Sequence, residues 1–339
     1  MSRTLIVFPE AGPQPLIDAV NAAQKELRLK MFLFSDPQLL DAVIAARKRG
    51  VDVRVMLNPA RRSGETENEE SRRKLVEAGV SVLDSNPVFE LTHEKSLVVD
   101  SAQAFVMSLN WETRNVSQTR DYAVVTKHAD EVAEIIECFD ADWHRKDFTP
   151  HEGSTLIWCN KNGRERFAHF IDRAQKSLWL QNERYQDAVI IERVVRAARR
   201  GVKVHIIARP PHTLKAEKLI EGVGGLRIMA DVGAKVHRLK GLRLHGKMLL
   251  ADGARAIVGS VNLAPGSFDA RRELAIEVDD SHVVGPLERV AKRDWDHSDA
   301  LDLSDEGLMA DLEKRGKAAG AADLVLDADP AKGKGKHKH

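Results

Sequence analysis

Residues able to bind and break a phosphodiester occur twice in this chain, in the same order and at the same spacing. His93, Lys95, Asp100, Ser108, Asn110 and Asp121 are followed 152 positions later by His245, Lys247, Asp252, Ser260, Asn262 and Glu273. An imidazole can attack phosphorus or carry a proton, an ammonium can hold a non-bridging oxygen, and hydroxyl and amide groups add hydrogen bonds. Side chains two apart on extended backbone share a face, so each His-x-Lys pair projects together, as do Ser108 with Asn110 and Ser260 with Asn262. Each copy therefore offers four complementary groups to one point, a set that suits a phosphodiester. One isolated histidine near a strand end is an ordinary polar residue. Six polar positions held in register through the otherwise apolar stretches SLVVD and MLLAD point to a phosphate site.

The elements that must position these residues are duplicated as well. Thr4-Leu5-Ile6 returns as Thr155-Leu156-Ile157, Ala23-Gln24-Lys25 as Ala174-Gln175-Lys176, and Gly50-Val51 as Gly201-Val202, each 151 positions on. A solenoid would repeat every ~20 to 50 residues with several copies, so this is a duplicated domain. Each copy reads as strand, amphipathic helix, strand, helix, strand. Leu5 to Phe8 is the first strand; Leu16, Ile17, Val20, Ala23 and Leu27 recur at helical spacing; Leu29 to Phe34 is an apolar run. A helix over Leu39 to Arg49 stops at Gly50, and Val51, Val53 and Val55 alternate as a strand does. The expected fold class is α/β, with helices on the faces of a sheet in each copy. Residues 1–150 and 151–302 form the two domains, divided where FTPHEG interrupts the periodicity, and residues 303–339 hold one more helix, over 303–316, and a basic, solvated tail.

Composition bounds the partners. The chain has 52 Lys and Arg against 51 Asp and Glu, so no global field draws in nucleic acid or an anionic membrane. Cys138 and Cys159 lack the spacing of a disulfide framework or a zinc site, and no metal or other cofactor is expected. The first apolar run is too short for a secretory leader, and no run of about 18 apolar residues follows, so the expectation is a cytoplasmic protein, with peripheral membrane contact as a secondary one.

H-x-K-x-x-x-x-D, present twice and followed by G-S-x-N in the second copy and M-S-x-N in the first, resembles the signature of the phospholipase D superfamily, over about residues 3 to 300. The resemblance implies two similar α/β domains packed around a pseudo-two-fold axis with one shared active site, and a metal-independent reaction through a phosphohistidine. It implies that one of His93 and His245 attacks phosphorus while the other protonates the leaving alkoxide and then activates water or an alcohol; family precedent favours His93 as nucleophile. Lys95, Lys247, Ser108, Ser260, Asn110 and Asn262 would hold the phosphoryl oxygens. Asp121 would sit behind His93 and Glu273 behind His245, each fixing a tautomer, and Asp100 and Asp252 would brace the site. Two departures stand out. Met107 replaces the glycine found at Gly259, predicting a narrower first half-site, and Asp121 is one methylene shorter than Glu273.

The motifs specify a reaction and leave the substrate open. A phospholipid is the first expectation, by hydrolysis or by phosphatidyl transfer as in cardiolipin synthases, which usually carry N-terminal membrane helices that this sequence lacks. A nuclease of the same superfamily is second and an inactive phosphate-binding protein third. Basic stretches at Arg193 to Lys203 and Lys235 to Arg243 are candidates for a nucleic-acid groove, but only 5% of the residues are aromatic, few for base stacking. A monomer is expected. Gln181-Asn182-Glu183 and Trp111 are candidates for the rim of the pocket, against the plainer readings of a strand-end polar cluster and a packing residue.

Overall fold

Matching local signals start and stop the same helix in each copy. Asp36 and Asp187 accept hydrogen bonds from the backbone N–H of Leu39 (3.0 Å) and Ile190 (3.1 Å), capping helices Pro37–Lys48 and Ala188–Arg199. Gly50 and Gly201 follow those helices at φ +96° and +91°, a left-handed conformation that turns the chain into strands Asp52–Leu57 and Lys203–Ile207. The computed structural model describes residues 3–59, 66–213 and 216–313.

Two mixed sheets result. The first runs in the order Thr4–Phe8, Thr119–Thr126, Gln103–Met107, Ser96–Val99, Glu26–Met31, Asp52–Leu57, Ser81–Asp84. The second runs Leu156–Trp158, Leu274–Val278, Arg255–Gly259, Met248–Ala251, Ser177–Gln181, Lys203–Ile207, Lys235–Leu239, with Ser298–Ala300 at its far edge. The strands Glu26–Met31 and Ser177–Gln181 pair parallel on one side and antiparallel on the other, so the matching residues occupy matching places. The outer face of each sheet is covered by its own helices, giving two separate cores. The inner faces meet in a third core, where Val98, Val106 and Val124 of one sheet join Leu250, Val258 and Ile276 of the other, with helices Ala129–Trp143 and Ser281–Asp296. The fold is α/β with two similar sheet domains, as expected.

Three boundaries differ from the sequence reading. Leu27 belongs to strand Glu26–Met31, because helix Gln14–Ala22 ends before Gln24-Lys25; the strand's own apolar residue happens to continue the helical spacing. The apolar run to Phe34 is strand only to Met31. A last helix starts at 305 and is described to 313; residues 314–316 of the expected helix and the tail, with His337 and His339, lie outside the described residues.

Candidate active site

Two short ladders tie the copies together at the site. Leu91–Thr92 pairs parallel with Arg271–Arg272, and the N–H groups of His93 and Glu94 both donate to the carbonyl of Arg272. Arg243–Leu244 pairs parallel with Thr119 and Arg120, and the N–H groups of His245 and Gly246 donate to the carbonyl of Arg120. Each histidine therefore lies against the acidic residue of the other copy. His93 Nδ1 is 2.9 Å from Glu273 Oε2, and His245 Nδ1 is 2.8 Å from Asp121 Oδ1. This corrects the expectation that Asp121 backs His93 and Glu273 backs His245. The reason is topological: the segment before each His-x-Lys leaves its own sheet and pairs with the strand start that carries the other copy's acid. The short reach of Asp121 is no obstacle, since the ladder brings His245 to it.

Electrostatics follow from burial and from these partners. Burial, reinforced by the neighbouring Lys95 ammonium, pushes His93 down to about 3 in spite of Glu273. The ring is thus neutral near pH 7, and a carboxylate at Nδ1 selects the tautomer that leaves the Nε2 lone pair free. Burial disfavours the Glu273 carboxylate, but His93, Lys95 and Arg271 more than offset it and hold Glu273 at about 2. Asp121 is likewise held below its usual value, against burial, by His245 and Lys247 and by the Ser108 hydroxyl. Burial and then the charge of Lys247 depress Lys95 well below the ordinary lysine value, so the two lysines, one from each copy, lie near enough to repel. Each lysine also donates to a carbonyl of its own motif, Lys95 to His93 (2.5 Å) and Lys247 to His245.

Among the remaining motif residues, Asn110 donates through its amide nitrogen to Glu112 (3.1 Å). Asn110 and Asn262 each keep a buried side-chain oxygen with no hydrogen-bond partner among the described residues, in matching places. The serines are committed elsewhere. Ser108 donates to Asp121 (2.6 Å) and accepts from the N–H of Tyr122 (2.8 Å), while Ser260 accepts from the N–H of Leu274 (3.1 Å) and lies 3.2 Å from its carbonyl. They shape the framework behind the acids. Asp100 and Asp252 sit at the opposite ends of strands Ser96–Val99 and Met248–Ala251, at φ +53° and +59°. Asp100 accepts backbone hydrogen bonds from Gln24, Lys25 and Glu26, and Asp252 from Gln175, Lys176 and Ser177. They brace the ends of two interior strands rather than the reacting groups.

Met107 does not narrow the first half-site. Its side chain is buried in the outer core with Phe8, Phe34 and Ala123. At Gly259, by contrast, an added Cβ would lie 2.3 Å from the carbonyl oxygen of Leu274, so the second sheet packs too closely there for any side chain. Trp111 is fully buried with its ring edge-on to Phe34 at 5.1 Å, a packing residue.

Glu183, weighed in the sequence only as part of a rim cluster, reaches the centre. Its Oε2 is 3.0 Å from Lys247 Nζ and 3.8 Å from His245 Nε2, and its Oε1 accepts from Arg209 at 2.9 Å. Its neighbours Gln181 and Asn182 hold framework groups instead, Tyr122 and Asp294 for the first and the Val261 carbonyl for the second. Sequence reasoning missed a second set altogether. Arg272 pairs with Asp142 and Arg120 with Asp294, each at 2.8 to 3.0 Å and buried, joining the acid-bearing strand of one copy to the last helix of the other. Both arginines and both aspartates are themselves 152 apart, a signal that could have found them. Glu94, Cys138 and Asp142 cluster closely enough to hold a cation, but Lys30 Nζ already lies 2.9 Å from Glu94 and 2.8 Å from Asp142, so an ammonium occupies that place.

A family model described as "Cardiolipin synthase, PLD-like domain" matches residues 16–143 and again 167–295. The chain belongs to the phospholipase D superfamily. Among its superfamily relatives, cardiolipin synthase B of Escherichia coli K12 is 26% identical over 310 residues, covering 78% of this chain and 73% of that one. The human mitochondrial cardiolipin hydrolase is 31% identical over 137 residues, 40% of this chain and 52% of its own length. The fold matches that of phosphatidylserine synthase from Haemophilus influenzae with a TM-score of 0.71 at 12% identity, over 96% of this chain and 94% of that one. Among the described residues of this phospholipase D superfamily member, no helix is long and apolar enough to cross a membrane.

Proposed function

We propose that this protein cleaves a phospholipid phosphodiester through a covalent phosphohistidine and passes the phosphatidyl group to water or an alcohol. The observation that supports this best is the convergence of two crosswise-braced imidazoles and two lysine ammonium groups on one buried space. His93, neutral with Nε2 free, attacks phosphorus as the bond to the head-group oxygen breaks, and His245 delivers a proton to that oxygen. His245 then takes the proton of water or of an acceptor alcohol as its oxygen attacks phosphorus, and the phosphorus–nitrogen bond to His93 breaks. Lys95 and Lys247, with the amide N–H groups of Asn110 and Asn262, hold the phosphoryl oxygens as charge builds on five-coordinate phosphorus. The similarity to cardiolipin synthase B favours a lipid substrate.

One observation favours a nucleic-acid reading: Arg243 is depressed by burial and by the charges of Arg209 and Arg114, a crowding of cations near Glu183. The test compares a fluorescent phospholipid, single-stranded DNA and bis(p-nitrophenyl) phosphate, each with and without excess EDTA. Lipid turnover that survives EDTA, with an acid-quenched adduct on His93, is the expected result, because lysines supply the positive charge a metal would otherwise provide. DNA cleavage without lipid turnover, or turnover that a divalent ion must restore, overturns it.

A further inference from the structure

The two half-sites match in their histidines, lysines and asparagines but differ in the walls beside them. Phe32 and Glu183 stand 151 apart, at equivalent places just past strands Glu26–Met31 and Ser177–Gln181. Phe32 sets its ring edge against His93 at 4.9 Å and lies under Lys95 Nζ at 5.2 Å, clustered with Leu33 and Leu91. Glu183 instead places a carboxylate beside His245 and Lys247 and is anchored behind by Arg209. One wall is apolar, the other charged and hydrogen-bonding.

We infer that Glu183 selects the alcohol that leaves from or enters at the His245 side, accepting a hydrogen bond from a second hydroxyl of a polyol such as glycerol. The inference rests on the reading above. In an in-line displacement with His93 as nucleophile, the departing and arriving oxygens lie opposite it, next to His245. A carboxylate within 4 Å of His245 Nε2 is then beside the carbon skeleton of that alcohol. It cannot favour the phosphoryl oxygens, which carry like charge, and it has nothing to offer an acyl chain. A hydroxyl one or two carbons from the reacting oxygen satisfies it, while Arg209 and Lys247 fix its orientation. The charged groups beside His245 are Asp121 at Nδ1, Glu183 near Nε2, and Lys247 of its own motif, so Glu183 is the group on the acceptor side that can accept a hydrogen bond without displacing the tautomer-fixing Asp121.

The experiment measures product partition with phosphatidylcholine vesicles, whose head group differs from both acceptors, supplying glycerol or 1-propanol at equal concentration and quantifying transfer product against phosphatidate. Wild-type protein should prefer glycerol. Glu183→Ala should lose that preference by roughly tenfold, the size of one hydrogen bond to a charged group, with the 1-propanol ratio little changed. Glu183→Gln, which keeps an acceptor oxygen and the wall's shape, should fall between the two and guards against misfolding of the alanine variant. Unchanged glycerol-to-propanol ratios in both variants, with lipid still turned over, overturn the inference alone. Absence of any phospholipid turnover by wild-type protein instead overturns the underlying functional reading.

Discussion

Each histidine is served by a carboxylate from the other copy, and the two carboxylates can therefore be tested separately. Glu273→Gln should slow formation of the phosphoenzyme on His93 by on the order of 10³-fold, since an amide no longer fixes the tautomer or supports the charged ring. Asp121→Asn should act on the His245 steps and slow breakdown of the adduct more than its formation. Rapid acid quench with mass spectrometry separates these outcomes, and a pairing within each copy would exchange them. The buried neutral state of His93 also has a thermodynamic signature. Its value in the folded protein is about 3, against roughly 6.5 in an unfolded chain. Between those values the unfolded chain binds a proton that the folded one does not, so stability falls as pH drops. From about pH 6.5 to 4.5, before the carboxylates titrate, melting temperature should decline, and less steeply in His93→Asn. Equal slopes in the two proteins would contradict the buried neutral ring. The site's residue types were legible because duplication writes them twice, in a register that chance does not explain. Glu183 was not, because its counterpart is Phe32 and a comparison of the copies rewards sameness.

At the level of strands and helices, the sequence identified most elements and not the way the copies interlock. Periodicity reports which residues of one element face a core. It carries nothing about a ladder between Leu91–Thr92 and Arg271–Arg272, whose partners are about 180 positions apart and only two residues long. Arginine and aspartate are commonplace on surfaces, so Arg120, Arg272, Asp142 and Asp294 did not stand out although they repeat at the motif spacing. Buried and paired, they fix how each acid-bearing strand meets the opposite helix. Removing one partner leaves an uncompensated buried charge, so Asp142→Ala, which strands Arg272 and leaves Lys30 with Glu94 alone, should cost about 3–5 kcal/mol in urea unfolding. A loss below ~1 kcal/mol would show that the clasp is not structural.

Over the whole molecule, two outer cores belong to single copies and the inner core to both. Between Trp143 and Leu156 the chain crosses from one copy to the other with no helix or strand. A protease site inserted there and cut should leave one particle on size exclusion, with activity retained, because the shared core and crossed ladders hold the halves. Separation of the fragments would place the cohesion in the linker instead. The crossed bracing has a further consequence for how such a chain can change over generations. A substitution at residue 121 or 273 is inherited with one copy but is felt at the histidine of the other. Neither copy is then free to decay or specialise alone, and a change tolerated in one selects for an answering change in its sibling. Duplication usually releases a spare; here it created two dependants.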